Sequence, residues 1–240
     1  MTRLRAAALL LSLPLLTACG GEGAETGATG STPSGSPSAT SSAPPAPTST
    51  PTTPEAPAPT TPAGPRASDG TPQPALLTIP SLDLVDLEVV PYVGFTDDAP
   101  GTEIQNDGRA ASPYGERGGT GPGGIGNYQV TAHRLSSTRA FEFLPDLVDG
   151  DVVHVAAGGA TYTYEIVETR QTSFRSEASL AAQRAAVPGQ PGVAPTRAMI
   201  TLSTCRTTED HAEGNYWSDE FDNPEHRIDK IGVLVEVTGA

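Results

Sequence analysis

The chain is short of basic charge, of thiols and of long apolar runs. Its 240 residues carry 14 Lys and Arg against 28 Asp and Glu, a formal net charge of −14, and Lys230 is the only lysine. So acidic a chain is repelled by nucleic acid and by anionic lipid surfaces, which argues against both as electrostatic partners. Only two cysteines occur, Cys19 and Cys205. The one mainly apolar run of any length, Ala6–Leu16, falls short of the ~20 residues that a bilayer-spanning helix takes. No internal repeat is visible, and helical periodicity is weak.

What is present at the N-terminus is an export pattern. Arg3 and Arg5 precede the apolar run, which has the length of a signal-peptide core. It ends in "LTAC", Leu16–Cys19. A Leu, two small residues and a Cys at this point resemble the bacterial lipobox, which implies cleavage before Cys19 and lipidation of its thiol. Anchoring through more than one acyl chain is stable, whereas a single chain is marginal. An ordinary signal peptide and an uncleaved anchor are the plainer alternatives. Loss of residues 1–18 removes two arginines and no acid, so the net charge moves from −14 to −16. With Cys19 carrying lipid, Cys205 is a lone thiol in an oxidising compartment. A leftover thiol there is either an intermolecular link or a reactive group.

Residues 19–74 read as a disordered linker. "STPSGSPSATSSAPPAPTSTPTTPEAPAPTTPAGP" has almost no large apolar side chain, so burial cannot offset the entropy of ordering it. Extended at ~3.1 Å per residue, it reaches on the order of 160 Å and would hold a folded domain away from a membrane.

Residues 75–240 are long enough for one domain with a real core. Their apolar pattern is mostly of period two. Strands are expected at Leu76–Pro80, Leu84–Val90, Asn127–His133, Asp151–Ala157, Thr161–Thr169, Ala198–Thr204 and Lys230–Thr238, separated by Gly, Pro and Asp clusters. Asp151–Ala157 and Thr161–Thr169 flank a Gly-Gly pair and read as a hairpin. "AFEFLPDLV" and Ser176–Ala186 are the two places for a short helix. The expected fold is all-β, a barrel or sandwich with one or two short helices.

A reactive thiol needs a base and a group that stabilises charge. Of the four histidines, His154 has apolar neighbours on both sides and reads as a structural strand residue. His211 and His226 lie in the polar segment after Cys205. His133 closes a strand, where a rigid sheet can present a side chain to a cleft. On residue type alone no one of them stands out, and Arg227 reads as a surface arginine paired with Glu225 or Asp229.

"TLSTC", Thr201–Cys205, resembles the T-L-x-T-C signature of the sortases, cysteine transpeptidases of Gram-positive surfaces. His133, followed by Arg134, lies upstream, and Arg227 lies downstream in "NPEHRIDKIGVLVEV", which is the sortase order of His, Cys and Arg. "GERGGTGPGGIGNYQVTAHR", "LPDLVDGDVVHV" and "IPSLDLVDLEVV" are also similar to sortase segments, so the likeness spans roughly Leu76–Val237. The linker, the scarcity of lysine and "ASPYGERGG" (Ala111–Gly119) look most like class E, the actinobacterial housekeeping type. Two departures stand out. Ala132 precedes the histidine where many sortases have Gly, and a lipid on Cys19 replaces the usual transmembrane helix.

The resemblance implies a closed sortase-type β-barrel of about eight strands. It also implies cleavage of an LPXTG- or LAXTG-like sorting signal between Thr and Gly. Cys205 would be the nucleophile, His133 the acid–base and Arg227 the oxyanion or substrate donor. Thr204 and Tyr114 would be substrate-binding residues. Partners would be sorting-signal-bearing surface proteins and a peptidoglycan precursor amine, at the outer face of a Gram-positive membrane, with no cofactor and no metal. A sortase-like peptidase that only hydrolyses and a non-catalytic binding lipoprotein are the alternatives. The acidic stretch from Glu209 to Glu225 matches no calcium loop and reads as a solvated, mobile flap.

Overall fold

The computed structural model describes residues 65–239. The signal segment, Cys19 and most of the expected linker lie outside the described residues. Eight strands close into a barrel: β1 (Ala75–Ile79), β2 (Leu84–Val93), β3 (Ala110–Tyr114), β4 (Gly126–Thr131), β5 (Val152–Ala157), β6 (Ala160–Ser173), β7 (Ala198–Cys205) and β8 (His226–Thr238). Around the barrel they run β1-β2-β3-β4-β7-β8-β6-β5. The closed all-β barrel with few short helices is the fold that the sequence led us to expect.

Period-two alternation builds the interior. Along β1 and β5 alternate residues are buried, and Leu77, Ile79, Val153 and Val155 point inward. Tyr128 and Val130 of β4 meet Ile200 and Leu202 of β7 in the same core. Phe141, Leu144 and Leu147, from the segment expected to be helical, pack there as well. That segment forms turns and one 3-10 turn at Leu144–Asp146 rather than an α-helix, because Pro145 leaves no room for a longer one.

β4 and β7 run parallel, with Gly126 opposite Ala198 and Thr131 opposite Ser203. A parallel pair needs a long crossover. Here it carries the β5–β6 hairpin and helix α2 (Glu177–Arg184) before the chain returns as β7. Ser176 caps α2, its Oγ accepting from Ser179 N at 3.2 Å.

The second faces of β4 and β7 are buried too, and that layer is polar. Gln183 of α2 donates to Asp229 Oδ1 at 2.9 Å and to Ser203 Oγ at 3.2 Å. Thr201 donates to Asn127 Oδ1 at 2.8 Å, and Asn127 donates to the Gln183 and Ala185 carbonyls at 3.1 Å. Hydrogen bonding of this kind makes burial of such groups tolerable.

Three features were not foreseen. β3 is a short strand made of "AASPY" and pairs parallel to β2. Helix α1 (Ala99–Asn106) has no apolar periodicity; Asp98 caps it by accepting from Gly101 N at 3.0 Å, with Pro100 in its first turn. Helix α3 (Thr207–Ala212) follows Cys205 directly. The packed chain also starts before Ala75, because Ser68 N donates to Gly123 O at 2.9 Å and Gly121 N to Gly70 O at 2.8 Å. Close approach fits that glycine-rich segment: at Gly119 a Cβ would sit 2.1 Å from Asn127 O.

Candidate active site

Strand register brings the thiol and the arginine together. In the antiparallel β7–β8 pair Cys205 is opposite Arg227 and Ser203 opposite Asp229, so the four side chains share one face. That is the outer, polar-layered face of the sheet, at the end where β7 stops. Thr204, one residue out of phase, turns the other way. It is 2 % exposed, and its Oγ1 donates to Ala132 O at 2.8 Å. Its hydroxyl thus ties the cysteine strand to the backbone just before His133 instead of reaching out to a ligand.

His133 and Cys205 line one cleft of ≈ 390 Å³, together with Thr102, Asn106, Phe221 and Pro224 among others. Asn106, the last residue of α1, holds the imidazole, with its Oδ1 2.9 Å from His133 Nε2. The next residue, Arg134, is turned inward. It donates to the Cys205 carbonyl at 3.3 Å and grips both oxygens of Glu209, one at 2.9 Å. Adjacent residues therefore serve both ends of the site: His133 faces the cleft, and Arg134 fastens the backbone that carries the thiol.

Arg227 is 1 % exposed, an unusual place for a guanidinium. Its Nε donates to Asp97 Oδ2 at 2.8 Å and its Nη1 to Pro224 O at 3.2 Å. Its Cζ lies 4.1 Å from the ring centroid of Phe174. Among the described residues Nη2 has no partner. Asp97 is in turn held by Gln105 Nε2 at 3.1 Å and sits in the left-handed region, φ 59°. The pairing with Glu225 or Asp229, natural from sequence, does not form. Glu225 accepts from Asn215, Ser173 and Arg175, and Asp229 from Thr172 and Gln183.

Burial pushes the Cys205 thiol pKa up, Arg227 pulls against it, and Asp97 adds to the rise. Burial pushes the His133 imidazole down, with Asp97 opposing and Arg227 assisting. The two shifts together favour a neutral thiol beside a neutral imidazole in the resting site.

Tyr114 ends β3, where its carbonyl accepts from Gly94 N at 3.1 Å, and it is not among the residues that line the cleft. His154 bonds Thr163 across the hairpin at 3.0 Å, in the structural place read for it. The acidic stretch is not wholly a solvated flap. Asp210 is fully buried and takes bonds from Arg206, His226 N and His226 Nδ1. Asp97, Asn106 and the clamp role of Arg134 were not read from the sequence. The one local signal for Asp97 was the "TDDAP" helix start, which marks Asp98 as the cap rather than Asp97 as a partner.

The family model for the Sortase domain matches residues 77–217, more than half of the chain. The protein belongs to the sortase family, a family of cysteine transpeptidases that act on surface proteins bearing sorting signals. Solved structures share the fold. The SrtA sortase from Actinomyces oris is 17% identical, with a TM-score of 0.53 over 74% of this chain and 87% of that one. Sortase E1 from Streptomyces coelicolor, determined with a tripeptide in its active site, is 23% identical, with a TM-score of 0.51 over 72% and 93%. No curated protein matches the sequence significantly.

Proposed function

We propose that this chain is a transpeptidase that cuts an LPXTG- or LAXTG-like signal between Thr and Gly and passes the acyl group from Cys205 to a cell-wall amine. The observation that carries this reading is the pairing of Cys205 with Arg227 across β7 and β8, beside a cleft that His133 shares.

The Cys205 thiol gives its proton to His133, the resulting thiolate adds to the Thr carbonyl carbon, and the carbonyl electron pair moves onto oxygen. Arg227, opposite Cys205 in the strand register and fixed by Asp97, Pro224 and Phe174, stabilises that oxyanion, its Nη2–H being the donor that has no partner among the described residues. Collapse expels the glycine amine, which takes its proton from the His133 imidazolium and leaves a thioester on Cys205. An incoming amine attacks the thioester, gives a proton to His133 and expels the thiolate. Asn106 orients the ring through both steps. Arg134, bonded to the Cys205 carbonyl, and Thr204, bonded to Ala132 O, set the distance between the two strands. Both are positioning residues.

The class E assignment rests on the linker and on "ASPYGERGG". Separately from that assignment, the lipobox-like segment supports lipidation of Cys19 and a tether from residue 19 that ends before Ser68, where the packed chain begins, with the enzyme on the outer face of the membrane. Mass analysis of the membrane fraction tests this, because Cys19→Ala should release the chain or leave it unmodified.

The decisive assay incubates the full chain with fluorogenic peptides of both signal types, with and without an amine acceptor, and reads products by mass. Thr–Gly cleavage that disappears in Cys205→Ala, with an acceptor-joined product, is expected. A Cys205→Ala chain that cleaves as fast as the wild type would overturn the reading.

A further inference from the structure

Phe95 lies on the loop between β2 and α1, two residues before Asp97. The guanidinium carbon of Arg117 is 3.9 Å from its ring centroid, and that of Arg184 is 4.6 Å away. Two cations on one ring repel each other, and a cation–π contact is only a weak attraction. Neither arginine forms an ion pair among the described residues, although the chain has twice as many acids as bases. Glu116 and Glu177 line the same cleft of ≈ 370 Å³ without closing onto either one. Arg184 Nε is buried and has no hydrogen-bond partner among the described residues. An orphaned buried donor is costly, and a charged one more so. Burial, then the nearby charge of Arg117, depresses the pKa of Arg184, against the pull of Glu177 and Asp97.

The arrangement is also tied to the active site. Gln129 of β4 accepts from Thr96 at 2.9 Å and donates to the Arg184 carbonyl at 3.4 Å. The loop residues 95–97 therefore connect the arginine pair on one side to the Asp97–Arg227 ion pair on the other.

We propose that Arg117 and Arg184 form a subsite for a carboxylate carried by one of the substrates of acyl transfer. Planar guanidinium forks match a carboxylate bidentately, which an ammonium does not. A bound carboxylate accepts from the terminal nitrogens of the two guanidinium groups and cancels the repulsion between the two arginines. The carboxylate belongs either to an acceptor amine that carries one or to an acidic residue beyond the scissile glycine of the donor. The assignment of its source rests on the acyl-transfer reading above; the anion site itself does not.

The test is calorimetric titration of the full chain carrying Cys205→Ala, so that no turnover is needed. One probe pair is diaminopimelate and its diamide. The other is the donor peptide extended past its glycine by Asp or by Asn. For at least one pair the acid should bind about tenfold tighter than its amide, the scale of a charge-assisted pair. That gap should vanish in the double variant Arg117→Gln/Arg184→Gln. Arg117→Gln alone, at an exposed position, should narrow the gap and serves if the double variant does not fold. Equal binding of acid and amide in both pairs, or a gap that persists in the variants, overturns the proposal. Thioester formation on Cys205 is read separately by mass. A thioester formed by the wild-type chain with no gap in the Cys205→Ala chain removes only the subsite, and a gap in the Cys205→Ala chain with no thioester on the wild type removes only the acyl-transfer reading.

Discussion

Arg227 Nε donates to Asp97 Oδ2 at 2.8 Å across 130 residues of sequence, and both groups are almost fully buried. Two charges taken this far from water need each other, since removing one partner of such a pair typically costs about 3–5 kcal/mol. Arg227→Ala should therefore lower both stability and activity. Arg227→Lys separates the two effects, because it keeps the charge but offers one nitrogen where Nε and Nη1 are both engaged. Its kcat should fall by about 10²–10³, the usual loss for one oxyanion donor, with a smaller drop in denaturant midpoint than for Ala. A Lys variant with wild-type kcat would remove Arg227 from the chemistry.

Burial is the larger influence on the pKa of both site groups, and Asp97 also contributes to the pH response. Its charge raises the pKa of both Cys205 and His133. The reaction needs a thiolate and an imidazolium together, so kcat/KM should be bell-shaped in pH, with limbs that belong to the coupled pair. In Asp97→Asn both groups lose a negative neighbour and both pKa values fall. The bell should move to lower pH, and its peak should drop as Arg227 loosens. A profile that stays in place would show that the charge of Asp97 is not felt at the site.

Thr204 separates positioning from binding. Thr204→Val keeps the shape but leaves the Ala132 carbonyl without its 2.8 Å bond. A loss of about 1–3 kcal/mol is expected for a stranded buried acceptor, seen as a lower urea midpoint at unchanged slope. Thr204→Ser should restore most of it. A direct substrate contact would instead raise KM in the Val variant with stability intact.

Asp210 should govern part of the acid limb of stability. Burial alone would raise its pKa, but bonds from Arg206 and His226 outweigh that and hold it below the usual carboxylate value. A depressed folded pKa contributes stability above the unfolded value of about 3.9, lost as pH falls through the folded one. Asp210→Asn should be less stable at pH 7 and should change less between pH 5 and pH 3. Urea midpoints across that range measure it.

Lys230, the only lysine, is 3 % exposed and donates to Leu147 O at 2.6 Å and Thr169 Oγ1 at 2.9 Å. Burial also lowers its pKa, against the pull of Asp149, Asp146 and Asp151. Amine-reactive reagents should leave Lys230 unmodified in the folded chain and label it fully in denaturant, as read by peptide mass. Rapid labelling of native protein would contradict the packing of β8 under the 144–147 turn.

Strands with clean alternation or β-branched runs, such as β5, β7 and β8, were legible because one face of each must be buried. His133, Cys205 and Arg227 were legible because they carry a family's residue types in a family's order. β3 was not, since five residues of Ala, Ser and Pro hold too little apolar contrast to register as a period. α1 was hidden for the same reason, with a cap and a proline but no apolar stripe. The acidic stretch after Cys205 looked solvated because single residues do not reveal that Asp210 has Arg206 and His226 waiting for it.

Composition and local periodicity determined by themselves that an acidic, mostly β domain follows a Pro-rich segment, and the family resemblance marked which three residues to watch. Only the tertiary structure decided what those residues touch. Partner choice for a buried charge depends on strand register and loop path, not on proximity in the chain. Register put Cys205 opposite Arg227, and the β2–α1 loop brought Asp97 rather than Glu225 or Asp229 to the guanidinium. The same loop carried Phe95 to Arg117 and Arg184, a meeting that no local pattern encodes.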